Sequence, residues 1–209
     1  MPGGYIFCEW ESVRKTFPKF QQTFASAESM AIAKATADWK PKTFNPTRSF
    51  SPGNNEFGRT TILPALFKDN TGTQMTTWLQ KFTSTGDQTV LAGAGAGNTI
   101  PEDFKVAWVG LAFPNMTQHL TEIKYDIGVR KYGRINLEEI RRYKVPAVIF
   151  EEPLIIDEEE SFEMKGYVPG PIPSYPDGSS GIYQRIIMIG ALYYKVKDKV
   201  LGNCGAAIS

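Results

Sequence analysis

The sequence predicts a mainly β chain, an antiparallel β-sandwich that is jelly-roll-like, with an N-terminal arm and one or two short helices. Three observations predict it. After Thr60, apolar and polar residues alternate with a period of two through much of the chain. Aromatic residues make up 12%, with 19 Gly and 14 Pro, a mixture suited to strands joined by punctuated loops. Helical segments do not separate successive strands, so the β-α-β alternation of a parallel sheet is missing. About eight strands then fit a sandwich or barrel closed in the jelly-roll manner. With 209 residues and 42% apolar content, the chain is long and apolar enough for one buried core.

Residues 1–59 read as an arm, 60–200 as the sandwich core and 201–209 as a small-residue tail. The stretch from Met1 to Phe24 mixes aromatics with polar residues, and Pro18 is expected to break any long element there. Ser26 to Trp39 is alanine-rich, lacks Gly and Pro, and starts on a serine able to cap, which predicts a helix stopped by Pro41. Lys40 to Arg59, with Pro41, Pro46, Pro52, Gly53 and Gly58, reads as an extended connector. Strands are predicted over Ile62–Phe67 and Met75–Phe82. A central strand is predicted over Phe104–Phe113, because that stretch is almost wholly apolar. Leu120–Val129 gives the clearest alternation, with Ile123, Tyr125, Ile127 and Val129 on one face and Glu122, Lys124 and Asp126 on the other. Asn136 followed by Glu139 predicts a capped short helix before Ile140–Tyr143. Three strands follow over Ala147–Phe150, Leu154–Ile156 and Ser161–Val168. A loop with four prolines then spans Pro169–Gly181, and one long strand is predicted over Ile182–Lys197.

Few residues declare chemistry. Cys8, Cys204 and the single histidine, His119, cannot assemble a tetrahedral zinc site, and no cofactor is expected. The two cysteines read as free thiols or as a disulfide joining the ends of the chain. No Gly-X-Ser-X-Gly elbow exists, and a Cys8–His119 pairing has no supporting pattern. Ala92–Gly97 is glycine-rich, but Asn98 and Thr99 stand where a phosphate loop needs Lys and Ser/Thr, so a packed or flexible loop is expected. The N-terminus shows neither a basic region nor a long apolar stretch, so no secretory leader is expected. The longest apolar run, Ile186–Tyr194, falls far short of the ~20 residues needed to span a bilayer, so membrane contact would be peripheral.

Charge is the richer signal. The formal net charge of +1, from 23 basic and 22 acidic residues, argues against a generic or sequence-specific nucleic-acid surface. That total conceals two blocks. Lys124, Arg130, Lys131, Arg134, Arg141, Arg142 and Lys144 form a basic one. Glu151, Glu152, Asp157, Glu158, Glu159, Glu160 and Glu163 form an acidic one directly after it. The acidic block fixes no carboxylate separation for glycoside chemistry and no calcium loop. The blocks read as an internal ion-pair network or as complementary patches through which copies of the chain meet. The arm either packs on its own sheet or reaches a neighbouring subunit.

Two segments carry a resemblance: Pro153-Leu-Ile-Ile-Asp-Glu-Glu-Glu-Ser-Phe-Glu-Met164 and Gln184-Arg-Ile-Ile-Met-Ile-Gly-Ala-Leu-Tyr-Tyr194. With them, the chain resembles single jelly-roll capsid proteins of icosahedral viruses of archaea and thermophilic bacteria, over its last sixty residues and in size and strand count. The resemblance implies a non-enzymatic shell component located in the virion and assembled in many copies. Copies of itself, other coat proteins and an internal membrane are the neighbours it implies. No catalytic residue carries over. Phe7, Trp10, Phe17, Phe20, Arg141, Arg142, Glu158 and Glu159 are the expected subunit-interface residues. A lectin-like jelly roll with Trp78 or Trp108 as a sugar platform is the rival from the binding class, and a cellular scaffold or filament subunit is the third reading. A metal-binding cupin needs two or three histidines, and this chain has one.

Overall fold

The computed structural model describes residues 5–8, 18–39, 57–114, 119–143 and 147–195. Its strands are β1 (Tyr5–Cys8), β2 (Phe57–Thr61), β3 (Phe67–Lys68), β4 (Leu79–Phe82), β5 (Gly86–Gly93), β6 (Phe104–Ala112), β7 (Glu122–Ile127), β8 (Arg130–Asn136), β9 (Ala147–Ile156), β10 (Phe162–Val168), β11 (Ile182–Arg185) and β12 (Ile187–Lys195). Among the described residues, two α-helices, α1 (Pro18–Asp38) and α2 (Glu138–Tyr143), accompany them. The strands form two five-stranded sheets and a ribbon. Sheet A runs β1-β9-β6-β12-β2, sheet B runs β3-β5-β10-β7-β8, and β11 pairs with β4.

The fold is an antiparallel sandwich wound as a jelly roll. Its pairings are nested: β7 with β8, β6 with β9, β5 with β10 and β2 with β12. Successive nested pairs fall alternately in sheets B and A, as they must when one long hairpin is wrapped around a barrel. The winding sorts the connections into two ends. At one end lie 113–114, 119–121, 137–143 and 169–181. At the other lie 94–103, the β7–β8 turn and 157–161.

Sheet A is buried on both faces. Along β6, Val106, Trp108 and Leu111 enter the core between the sheets, whereas Ala107, Val109 and Ala112 belong to a second cluster beneath α1. The parity changes at Gly110, where pairing with both neighbours shifts register. This double burial explains why the strand is apolar throughout. Trp108 is the centre of the inner core. Its ring lies 4.7 Å from Phe150, 5.0 Å from Tyr125 and 5.7 Å from Phe162, all near-perpendicular, and its Nε1–H donates to the Gly110 carbonyl at 2.7 Å.

Several elements differ from the sequence expectation. Helix α1 starts at Pro18, eight residues before Ser26. At the first helical position proline loses no hydrogen bond and its fixed φ suits the helix, so Pro18 opens the element it was expected to break. Ile62–Phe67 is no strand; a 3-10 turn occupies Pro64–Leu66, ahead of the short β3. The stretches Ala147–Phe150 and Leu154–Ile156 are a single strand. Trp108 pairs with Leu154 and Gly110 with Ile149, so residues 150–153 bulge opposite Val109 and expose Glu151 and Glu152. Ile182–Lys197 divides at Ile186 into β11 of the ribbon and β12 of sheet A. Strands β1, β2, β5 and β8 escaped the sequence reading. Strands β1 and β2 are the two edges of sheet A, so they complete the sandwich while α1 covers it.

Candidate functional site

Three regions of the surface are built unlike the rest: the clasp that holds α1, and the two ends of the sandwich. The clasp begins with alanine. Thr23, Ala27, Ala31 and Ala35 recur every fourth residue and form the buried face of α1, which lies on Ala107, Val109, Ala147, Ile149, Ile189 and Ala191 of sheet A. Small side chains on both surfaces let the helix approach the sheet closely. Phe20 and Phe24, 5.7 Å apart, flank this contact near the start of the helix.

At the C-terminal end of α1 an ionic cluster completes the clasp. The Lys105 side chain is 1% exposed. Its ammonium donates to Asp38 at 2.7 Å and to Asp157 at 3.1 Å, lies 3.9 Å from Glu158, and sits 5.1 Å above the Trp39 ring. Lys34 donates to the second oxygen of Asp157. Glu158 accepts from Trp39 Nε1 at 2.9 Å and from the Asp103 backbone N–H at 2.9 Å. Burial alone would lower the Lys105 pKa, but its hydrogen bonds to Asp38 and Asp157 outweigh that and hold it above the ordinary lysine value. Burial likewise pushes Asp157 upward, and the bonds from Lys34 and Lys105 outweigh it, leaving its pKa below the ordinary value. The negative end of the helix dipole lies beside Lys105, adding to the attraction. A second tie joins Arg59 of β2 to Glu28, with the guanidinium 5.7 Å from the Phe24 ring.

The outer face of sheet B is a ladder of ion pairs. Lys124 bonds both Asp87 oxygens at 3.2 Å and lies 3.4 Å from Glu122, which is 3.7 Å from Arg134; Lys165 meets Glu163 at 3.1 Å. Thus Lys124 and Arg134 of the basic block pair with Asp87 and Glu122. The acidic block instead turns Asp157 and Glu158 towards Lys105, Lys34 and Trp39. These described members of the two blocks are neutralised by other partners.

Both ends of the sandwich carry clefts, and Val129 borders two of them at the β7–β8 end. One end holds a cleft of about 340 Å³ whose floor is Leu120, Leu137 and Ile182, whose rim is Pro169, Pro171 and Pro173, and whose polar edge carries His119 and Glu138. The His119 backbone N–H donates to the buried Gln184 at 3.1 Å. The Glu138 N–H donates to Asn136 Oδ1 at 3.0 Å, the expected cap of α2. The other end presents the two-residue β7–β8 turn, Gly128-Val129. Its valine is fully exposed, at 104% of the reference area. Beside it the base of the glycine-rich loop is tightly packed. A Cβ on Gly93 would lie 2.4 Å from the Asn98 and Thr99 carbonyl oxygens, and the Gly95 carbonyl accepts from Lys68 at 3.0 Å. Its tip, Ala96-Gly97-Asn98, is exposed.

The expected interface residues are therefore dispersed. Arg141 and Arg142 lie on α2 at the cleft end, Arg142 exposed. Glu158 and Glu159 lie in the 157–161 turn at the opposite end. Glu159 is exposed, but Glu158 is engaged inside the clasp, which removes it from an outward-facing patch. Phe7 is in β1, where it pairs with Val148. Phe20 packs beside the clasp. Trp10, Phe17, Cys204 and the 201–209 tail fall outside the described residues. Trp108 is wholly buried and cannot stack on a sugar; Trp78 is half-buried, 6.1 Å from Phe67. Sequence reasoning missed Lys105 and Asp38. The only trace was an unpaired lysine inside an otherwise apolar strand. No family model matches the chain, and no curated protein or solved structure matches it either.

Proposed function

We propose that this chain is a non-enzymatic structural subunit of a virion shell, assembling with copies of itself and with other coat proteins. The jelly-roll winding carries this reading, since eight-stranded double-sheet rolls serve shells as well as sugar and metal sites. Within that set, a sugar platform on Trp108 is lost to the core, and one histidine does not furnish a cupin metal set. Placement of Arg141 and Arg142 at one end and Glu159 at the other supports heterologous contacts, in which unlike surfaces of successive copies meet and extend a lattice. Reversing Arg141 and Arg142 to Glu should weaken assembly, and adding Glu159→Lys to the same chain should partly restore it. Damage that merely adds would remove this charge pairing. Saturable binding on a glycan array that is lost in Trp78→Ala would replace the shell reading with a lectin.

A further inference from the structure

We propose that α1 is an acid-released strap: once the carboxylates around Lys105 are protonated, the helix lifts off sheet A as a unit while the sandwich beneath stays folded. This stands independently of the shell reading. Among the described residues, Lys105 is the one buried charge. Its ammonium is stable there because carboxylates surround it; stripped of their charge, it becomes an uncompensated buried cation. Asp38 and Trp39, at the end of α1, cover it, so it regains water when the helix leaves.

The rest of the attachment is thin. The buried face of α1 is Thr23, Ala27, Ala31 and Ala35, which set little more than a methyl group each on the sheet. The core between the sheets, centred on Trp108, includes no α1 residue and no charged group, so neither acid nor loss of the helix strikes it directly. Nine residues separate β1 from α1 and seventeen separate Trp39 from β2. At ~3.3 Å per extended residue, that is enough chain for the helix to leave while both edge strands stay paired.

The groups around the cluster set the direction of the switch. Helix α1 contributes Lys34 and Asp38, and the 157–161 turn contributes Asp157 and Glu158, with Glu160 accepting from the Asp157 N–H at 3.0 Å. The loop before β6 contributes Asp103, 3.9 Å from Lys195 of β12. On β9, Glu151 and Glu152 face solvent, and along the helix Glu28 pairs with Arg59 of β2 near the buried Tyr193. In acid the carboxylates lose their charge and the cations keep theirs, so the cluster passes from net negative to net positive. Burial raises the Asp157 pKa and the bonds from Lys34 and Lys105 lower it further, so release begins below ~3.9.

The test is hydrogen exchange on the full chain, read by mass spectrometry as protection relative to the unfolded chain at the same pH. Between about pH 6 and about pH 3, protection of α1 should fall about tenfold or more while that of β6 and β9 holds. Lys105→Met should change sign across this range. Its α1 should be less protected than wild type at the higher pH, where three carboxylates lose their cation. At the lower pH it should be better protected, because only wild type then carries the buried charge. Asp38→Asn imitates one protonation, so it should lower α1 protection at the higher pH and shrink the acid-induced fall; this variant decides the matter if Lys105→Met does not fold. Protection of α1 that persists at the lower pH, or that is lost together with that of β6 and β9, overturns the strap. So does a Lys105→Met chain less protected than wild type at both pH values, or an Asp38→Asn chain that matches wild type throughout.

Discussion

Replacing Lys105 with methionine tests how the helix is held. Methionine keeps most of the aliphatic stem over Trp39 but removes the cation shared by Asp38, Asp157 and Glu158. Breaking a buried pair by removing one partner costs about 3–5 kcal/mol when the other charge remains dry. Here the carboxylates are not dry: Asp38 is 50% exposed, Asp157 28% and Glu158 25%, so water recovers part of their solvation. The expected loss is therefore ~2–3 kcal/mol, read in urea as a midpoint lowered by roughly 1–1.5 M at an m-value of roughly 2 kcal/mol/M. Amide exchange should accelerate first in α1, since the cluster fastens its C-terminal end. Adding Asp157→Asn to Lys105→Met should return part of the loss, because one uncompensated carboxylate disappears. A loss under about 0.5 kcal/mol, with unchanged exchange in α1, would show that alanine packing alone holds the helix and that the cluster is incidental.

The pH dependence of the clasp follows from the same groups. Asp157 has a folded pKa below its unfolded value, so its contribution is complete above ~3.9 and disappears as pH falls through the folded value. Lys105 has a raised folded pKa, so its contribution is complete below ~10.4 and is lost only as pH rises past the folded value. Stability attributable to the cluster should stay flat from about pH 5 to 9 and fall in acid, as checked by denaturation at fixed ionic strength. Ala31→Leu should destabilise by about 1–3 kcal/mol, because a fully buried alanine leaves no room between α1 and sheet A; a neutral result in thermal melts would mean a looser contact. Gly190→Ala should fail to yield folded protein. Its φ is 156° and an added Cβ would lie 1.9 Å from the Ala107 carbonyl, so a native circular-dichroism spectrum would contradict the close approach of β12 to β6.

What the sequence disclosed depended on whether a signal was local. The alternation in β7 is visible because one face of the strand is buried and the other carries Glu122, Lys124 and Asp126 in solvent. Strand β6 was legible for the opposite reason, since burial on both faces leaves it almost uniformly apolar. Strand β5 was missed because only Val90, Leu91, Ala92 and Gly93 are buried, while Asp87, Gln88 and Thr89 look like loop. Strand β8 was hidden by its cations, which suit a charged sheet edge as well as a surface patch. Helix α1 was half seen. Its alanine face is weakly hydrophobic, and its packing depends on a sheet distant in sequence. The clasp joins residues 34–39, 103–105 and 157–158, so no local pattern could reveal that Glu158 faces inward.

Native mass in solution is the most direct test of the central claim that this jelly roll is built to meet copies of itself. Light scattering coupled to size exclusion, on the full chain from sub-micromolar concentration upward, should show mass rising with concentration to a particle of many subunits. Electron micrographs of that fraction should show a regular lattice or shell. A single mass equal to one chain throughout that range would contradict the account.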